Sequence, residues 1–159
     1  MTYRSPWNKP EKFFDINLSR NVHFDQYLNN KVFEILRKKK NYTLHYADPY
    51  EIYKSISNYY KIHLKNLTIG FGATDILYRI TKILDVKNYY VLNLTFEVFQ
   101  VYCKLNFKKF KRVKKSEIYL KKRKNSALYI VNPNGVDGSV LKLDKKILSL
   151  YKYIIIDEV

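Results

Sequence analysis

Residues able to do chemistry gather in this sequence just past short apolar runs. After Leu67 to Gly70 come Phe71, Gly72, Ala73 and Thr74, and then a helical pattern. Small residues let the backbone approach a ligand, and open amides at a helix start, with the Thr74 hydroxyl as a further donor, bind anions. After Tyr89 to Asn93 come Thr95 and Phe96, and an aromatic at a ligand edge can stack on a planar ring. After Ala127 to Val131 comes the stretch NPNGVDGS, residues 132–139, which is turn chemistry whose amides can also donate. The last run, from Tyr153, ends in Asp157 and Glu158; a carboxylate behind such a run is costly to bury unpaired, so a cationic partner is expected. A phosphate cradle, a stacking ring, amide donors and a carboxylate are together what a phosphorylated, planar, protonatable heterocycle needs.

These positions need a scaffold. The four runs have strand length and are continuously apolar, which marks strands covered on both faces. Ligands of an open α/β sheet bind beyond the carboxyl ends of its strands, where these groups fall. Helical patterns lie between the runs, over Thr74 to Leu84, Phe96 to Leu105 and Leu143 to Tyr151, and Phe107 to Val113 reads as a more exposed strand. Two helices precede them. One runs from Asp25 to about Lys40 on Leu28, Val32, Ile35 and Leu36, with a basic end that suits the negative pole of a helix. The other starts at the signal Asp48, Pro49, Glu51 and runs to about Ile62. The expected fold is α/β, three layers with a mostly parallel sheet. Residues 1–24 read as an N-terminal arm punctuated by Pro6 and Pro10, and 25–159 as one incomplete domain, because the apolar strand YIIID lacks a following helix.

Composition narrows the class. The chain has 159 residues, 47% hydrophobic and 28% charged, with four Gly and four Pro, so a folded core is expected and disorder or collagen is excluded. No apolar run approaches the roughly 20 residues that span a bilayer, and no secretory signal is evident. With a single cysteine, Cys103, a cytoplasmic protein is expected. Cys103 sits on an apolar helix face and reads as core, and His23, His45 and His63 are too scattered to hold a metal. The formal charge of +16 raises the alternative of a non-enzymatic basic module. Such a module would bind nucleic acid or another polyanion through Lys108, Lys109, Lys111, Arg112, Lys114, Lys115 and the 121–124 cluster. The excess is mostly lysine and accompanies abundant Asn, Ile, Tyr and Phe, as an A/T-rich coding bias would produce. A solvated face is therefore the favoured reading of those clusters.

The order of the motifs resembles the N-terminal part of a fold type I pyridoxal-phosphate aminotransferase of class I/II, closest to the histidinol-phosphate aminotransferase group. Nearly the whole chain, from about Asn17 to Val159, is covered. LSRNVHF, at 18–24, is similar to the family's substrate-side arm with Asn21 retained. HYADP, at 45–49, resembles the stretch whose tyrosine, here Tyr46, reaches the cofactor phosphate of the neighbouring subunit. GFGATD, at 70–75, resembles the phosphate turn, which gives that role to Gly72, Ala73 and Thr74. LTFEVF, at 94–99, resembles the segment whose first aromatic, here Phe96, stacks on the pyridine ring. IIIDEV, at 154–159, resembles the strand whose aspartate, here Asp157, pairs with the pyridinium nitrogen. The fold so implied is the large domain of these enzymes.

The resemblance implies pyridoxal 5'-phosphate as cofactor, an amino acid (or an amino phosphate such as histidinol phosphate) and a 2-oxo acid as small-molecule substrates, amino transfer as the reaction, and a homodimer. Threonine-phosphate decarboxylases share the same early motifs. NPNGVDGS departs from the family pattern: Gly135 stands where the asparagine that meets the ring hydroxyl is expected, and Asn134 takes that role if the turn shifts by one residue. No lysine here matches the family's Schiff-base lysine. The chain is therefore expected to be a cofactor-binding portion that needs downstream sequence to be active.

Overall fold

The structure, a computed structural model, describes residues 25–38, 48–93 and 95–158. The chain divides into two units, Met1–Pro49 and Tyr50–Val159. In the first, helix α1 (Gln26–Lys38) starts where the Asp25 carboxylate accepts the Leu28 N–H at 3.1 Å, the side-chain cap that helix starts favour.

The second unit holds α2 (Tyr50–Tyr60), α3 (Gly72–Ile83), β1 (Asn88–Leu92), α4 (Val98–Leu105), β2 (Lys109–Val113), β3 (Arg123–Val131) and β4 (Tyr151–Asp157). Its four strands form one sheet in the order β2-β1-β3-β4, and every pair is parallel. Because side chains alternate along a strand, each apolar run supplies two faces. Tyr89, Val91, Ala127, Tyr129 and Ile155 pack on one side against Leu77 of α3 and Phe99 and Cys103 of α4. Leu92, Leu128 and Ile130 pack on the other against Ile118, Ile147 and Leu150, which belong to short 3-10 turns and their flanks. This is the flanked, mostly parallel α/β sheet that the runs predict. Among the described residues, no helix is long and apolar enough to cross a membrane.

Three local expectations are corrected. Leu67 to Gly70 is not a strand. A strand exists only where its backbone pairs with a neighbour, and this segment joins no described ladder; Ile69 instead donates its N–H to the Tyr53 hydroxyl at 3.1 Å. Leu143 to Tyr151 is not an α-helix. Only Lys145–Ser149 makes a 3-10 turn, and Tyr151 is already paired with Arg123 as the first residue of β4. Phe107 lies outside β2, in a turn with φ +55° and almost fully exposed.

Candidate functional site

Parallel strands put all their carboxyl ends on one edge. A helix that precedes a strand in such a sheet begins at that same edge, and one that follows a strand also begins there. The start of α3, the Thr95–Phe96 segment before α4, the 132–139 loop after β3 and Asp157 at the end of β4 thereby all stand on the carboxyl edge of the sheet. Asn21 and Tyr46 lie outside the described residues.

At the start of α3, Asp75 closes the turn. Its Oδ2 accepts the Phe71 N–H at 3.0 Å and its Oδ1 accepts from Arg79 Nε at 2.8 Å, and these bonds hold the carboxyl below its usual range. Gly72 has φ +78°, a conformation that side chains with a Cβ rarely take, and a Cβ built there meets nothing within 4 Å. Gly72, Ala73 and Thr74 are exposed. Their N–H groups belong to the first turn, which has no intrahelical acceptors, and no described residue accepts from them. Phe96 is 50% exposed. Beside it Thr95 is buried, and its Oγ1 has no hydrogen-bond partner among the described residues.

Asn134 is buried and serves its own loop, its Oδ1 accepting the Val136 N–H at 2.9 Å. Gly135 is exposed. Asn132 fastens the loop to Leu141 through both side-chain atoms, at 3.2 and 2.8 Å. An open cavity of about 180 Å³ lies beyond β1 and β2, lined by Asn93, Lys114, Lys115, Asn134 and Asp137 among others. It neighbours the edge occupied by Gly72, Phe96 and Asp157, but those three do not line it.

Asp157 is half-buried, and the expected cation is not there. Its partner is a phenol: Tyr129 donates to Oδ2 at 2.7 Å, and no described Lys or Arg pairs with it. The reason lies in the register. Val131 is opposite Asp157, so Tyr129, two residues back, is the diagonal neighbour on the same face, within reach of a long side chain. Tyr129 was missed from sequence. A tyrosine in an otherwise aliphatic buried run, whose hydroxyl must find a partner, is the signal that could have found it.

The basic clusters are partly drawn into the fold. Lys108 Nζ donates to the carbonyl oxygens of Leu84 and Val86 at 3.1 and 2.9 Å, Arg112 to that of Asn93 at 2.8 Å, and Lys115 to the Ser139 hydroxyl at 2.6 Å. Arg123 lies 4.2 Å over the Tyr90 ring. Lys109, Lys111, Lys114, Lys121, Lys122 and Lys124 remain exposed.

No protein-family model and no curated protein matches the sequence. Solved structures do. A Methanococcus jannaschii protein, described as similar in its active site to kynurenine aminotransferases, matches 87% of this chain at TM-score 0.65 and 20% identity. L-threonine-O-3-phosphate decarboxylase from Porphyromonas gingivalis matches 75% at TM-score 0.63 and 17% identity. Histidinol-phosphate aminotransferase from Sinorhizobium meliloti, solved with pyridoxal-5'-phosphate, matches 68% at TM-score 0.55 and 18% identity. The chain spans 41%, 39% and 33% of those three chains respectively. With its parallel sheet and flanking helices, the chain carries part of the aminotransferase fold that these proteins have in common.

Proposed function

We propose that this chain is the cofactor-binding portion of a pyridoxal-phosphate enzyme that moves an amino group between an amino acid, or an amino phosphate such as histidinol phosphate, and a 2-oxo acid. The observation that carries this is the half-buried Asp157 carboxylate at the carboxyl end of β4, held by a neutral donor. On the same edge of the sheet the donor set fits a phosphorylated pyridine. Gly72, Ala73 and Thr74 would hold the phosphate with open amides and a hydroxyl, the φ of Gly72 setting the turn. Phe96 would cover one face of the ring, and Asn134 would meet its hydroxyl. The buried Thr95 hydroxyl beside Phe96, without a partner among the described residues, supports the fit, since a ligand could satisfy such a group.

When bound, the cofactor supplies an electron-withdrawing ring. Asp157 would keep a proton on the ring nitrogen, because a carboxylate beside a base favours its protonated form. The sequence resemblance alone assigns Asn21 a substrate-side role, and Tyr46 a role toward the cofactor phosphate of a second copy in a homodimer. The reading also carries a cytoplasmic location and the domain division 1–24 and 25–159. The covalent anchor of the cofactor is assigned to no residue of this chain.

Titration with pyridoxamine 5'-phosphate tests the proposal, because this form does not condense with surface lysines. Saturable binding is expected, weakened roughly 10- to 150-fold in Asp157→Asn, since hydrogen bonds to a charged group contribute about 1.5–3 kcal/mol. Binding that ignores Asp157 and falls steeply with salt would refute it and favour the polyanion-binding alternative.

A further inference from the structure

We infer that Tyr129 is a positioning residue for Asp157, an inference that rests on the cofactor reading above. The Tyr129 side chain is fully buried in β3. Its ring is stacked on Phe99, with centroids 3.9 Å apart and planes 9° from parallel, so the phenol is held by α4 as well as by its own strand. Its O–H donates to Asp157 Oδ2 at 2.7 Å. Burial and the adjacent carboxylate both keep that phenol protonated far above its ordinary range, so it acts as a donor.

Two consequences follow. The terminal torsion of an aspartate is broad and roughly two-fold, and a fixed donor on Oδ2 selects one setting of it. Oδ1 then accepts from no described residue and is left for the ring nitrogen. A phenol also carries no charge. A lysine or arginine in its place would hold the carboxylate equally well but offset the negative charge that a pyridinium must meet. Orientation without neutralisation is what distinguishes Tyr129 from the cation the sequence led us to expect.

The test compares the chain with its Tyr129→Phe, Asp157→Asn and double variants, using pyridoxamine 5'-phosphate labelled with 15N in the ring. Tyr129→Phe keeps the stack on Phe99 and removes only the hydroxyl. Binding is expected to weaken about tenfold, as loss of one hydrogen bond to a charged group would give, and the ring-nitrogen resonance should move toward that of neutral pyridine. In the Asp157→Asn background the same change should leave binding within about twofold, because the two residues act as one unit. Full affinity and an unmoved resonance in Tyr129→Phe, while Asp157→Asn still weakens binding, would overturn the positioning role and leave the cofactor reading standing. Binding that ignores both residues would overturn both. Should Tyr129→Phe not fold, Asp157→Glu keeps the phenol and moves the carboxylate one methylene away. The same tenfold loss is expected there, and unchanged affinity would overturn the proposal.

Discussion

Phe99→Ala should remove a large part of this domain's stability. Phe99 is fully buried on α4, stacked on Tyr129 at 3.9 Å and set edge-on to Tyr89 at 5.5 Å. An aromatic pair contributes about 0.5–1.5 kcal/mol beyond its buried area, so the two contacts supply about 1–3 kcal/mol. With the lost burial of the ring and the cavity left behind, core Phe-to-Ala changes cost about 3–5 kcal/mol. Domains are stable by only about 5–15 kcal/mol, so the loss is a large fraction. In a chain of this length it corresponds to a melting point lower by roughly 6–20 °C. Phe99→Leu keeps most of the volume and loses the ring geometry, and should cost about 1–2 kcal/mol. Urea unfolding followed by circular dichroism measures all three proteins. A Phe99→Ala unfolding free energy within about 1 kcal/mol of the parent's, or a Phe99→Leu loss equal to that of alanine, would show that α4 does not hold this face together. The support of Tyr129 by α4 would fail with it.

Other consequences can be checked more briefly. Burial pushes the Cys103 thiol up to about 12, so a thiol reagent at pH 8 should leave the native protein unmodified and label it only after unfolding. The Asp75 carboxyl is held below 3.8 by Arg79 and the Phe71 N–H. Its contribution is therefore present above 3.8 and lost as pH falls through the lower folded value. The stability gap between the parent and Asp75→Asn should be constant above about pH 5 and close in more acidic solution; a gap that widens with acid would reverse the sign. Lys108→Met removes donors from the carbonyls of Leu84 and Val86 and should cost about 1–3 kcal/mol in denaturant unfolding. Lys152→Met breaks exposed contacts, to the carboxylate and carbonyl of Asp85 and over the Tyr153 ring, and should shift the midpoint far less than Lys108→Met.

The central helices and strands were readable because each depends on a local pattern. α3 and α4 show helical spacing, and Tyr89 to Leu92 and Ala127 to Val131 are apolar runs bounded by polar residues. Where pairing decides, local pattern failed. Leu67 to Gly70 has a strand's composition but joins no ladder among the described residues. Leu143, Ile147 and Leu150 have helical spacing, yet Tyr151 is claimed by Arg123 across the sheet. β3 begins at Arg123, four residues before the apolar run, because ladder pairing does not require apolar side chains.

The candidate site divides the same way. Which residue types stand at the element ends, and in what order, is a property of the chain alone: Gly72 to Thr74 open α3, Phe96 and Asn134 stand just past β1 and β3, and Asp157 ends β4. What satisfies Asp157 is not local. Its partner sits 28 residues earlier in sequence, and only parallel pairing of β3 with β4, in the register that sets Val131 opposite Asp157, brings that phenol within 2.7 Å. The sequence alone therefore determined that a carboxylate would stand at this edge, because composition and period are local. Whether a charge or a neutral hydroxyl would meet it was decided by the tertiary structure, because register is a relation between strands.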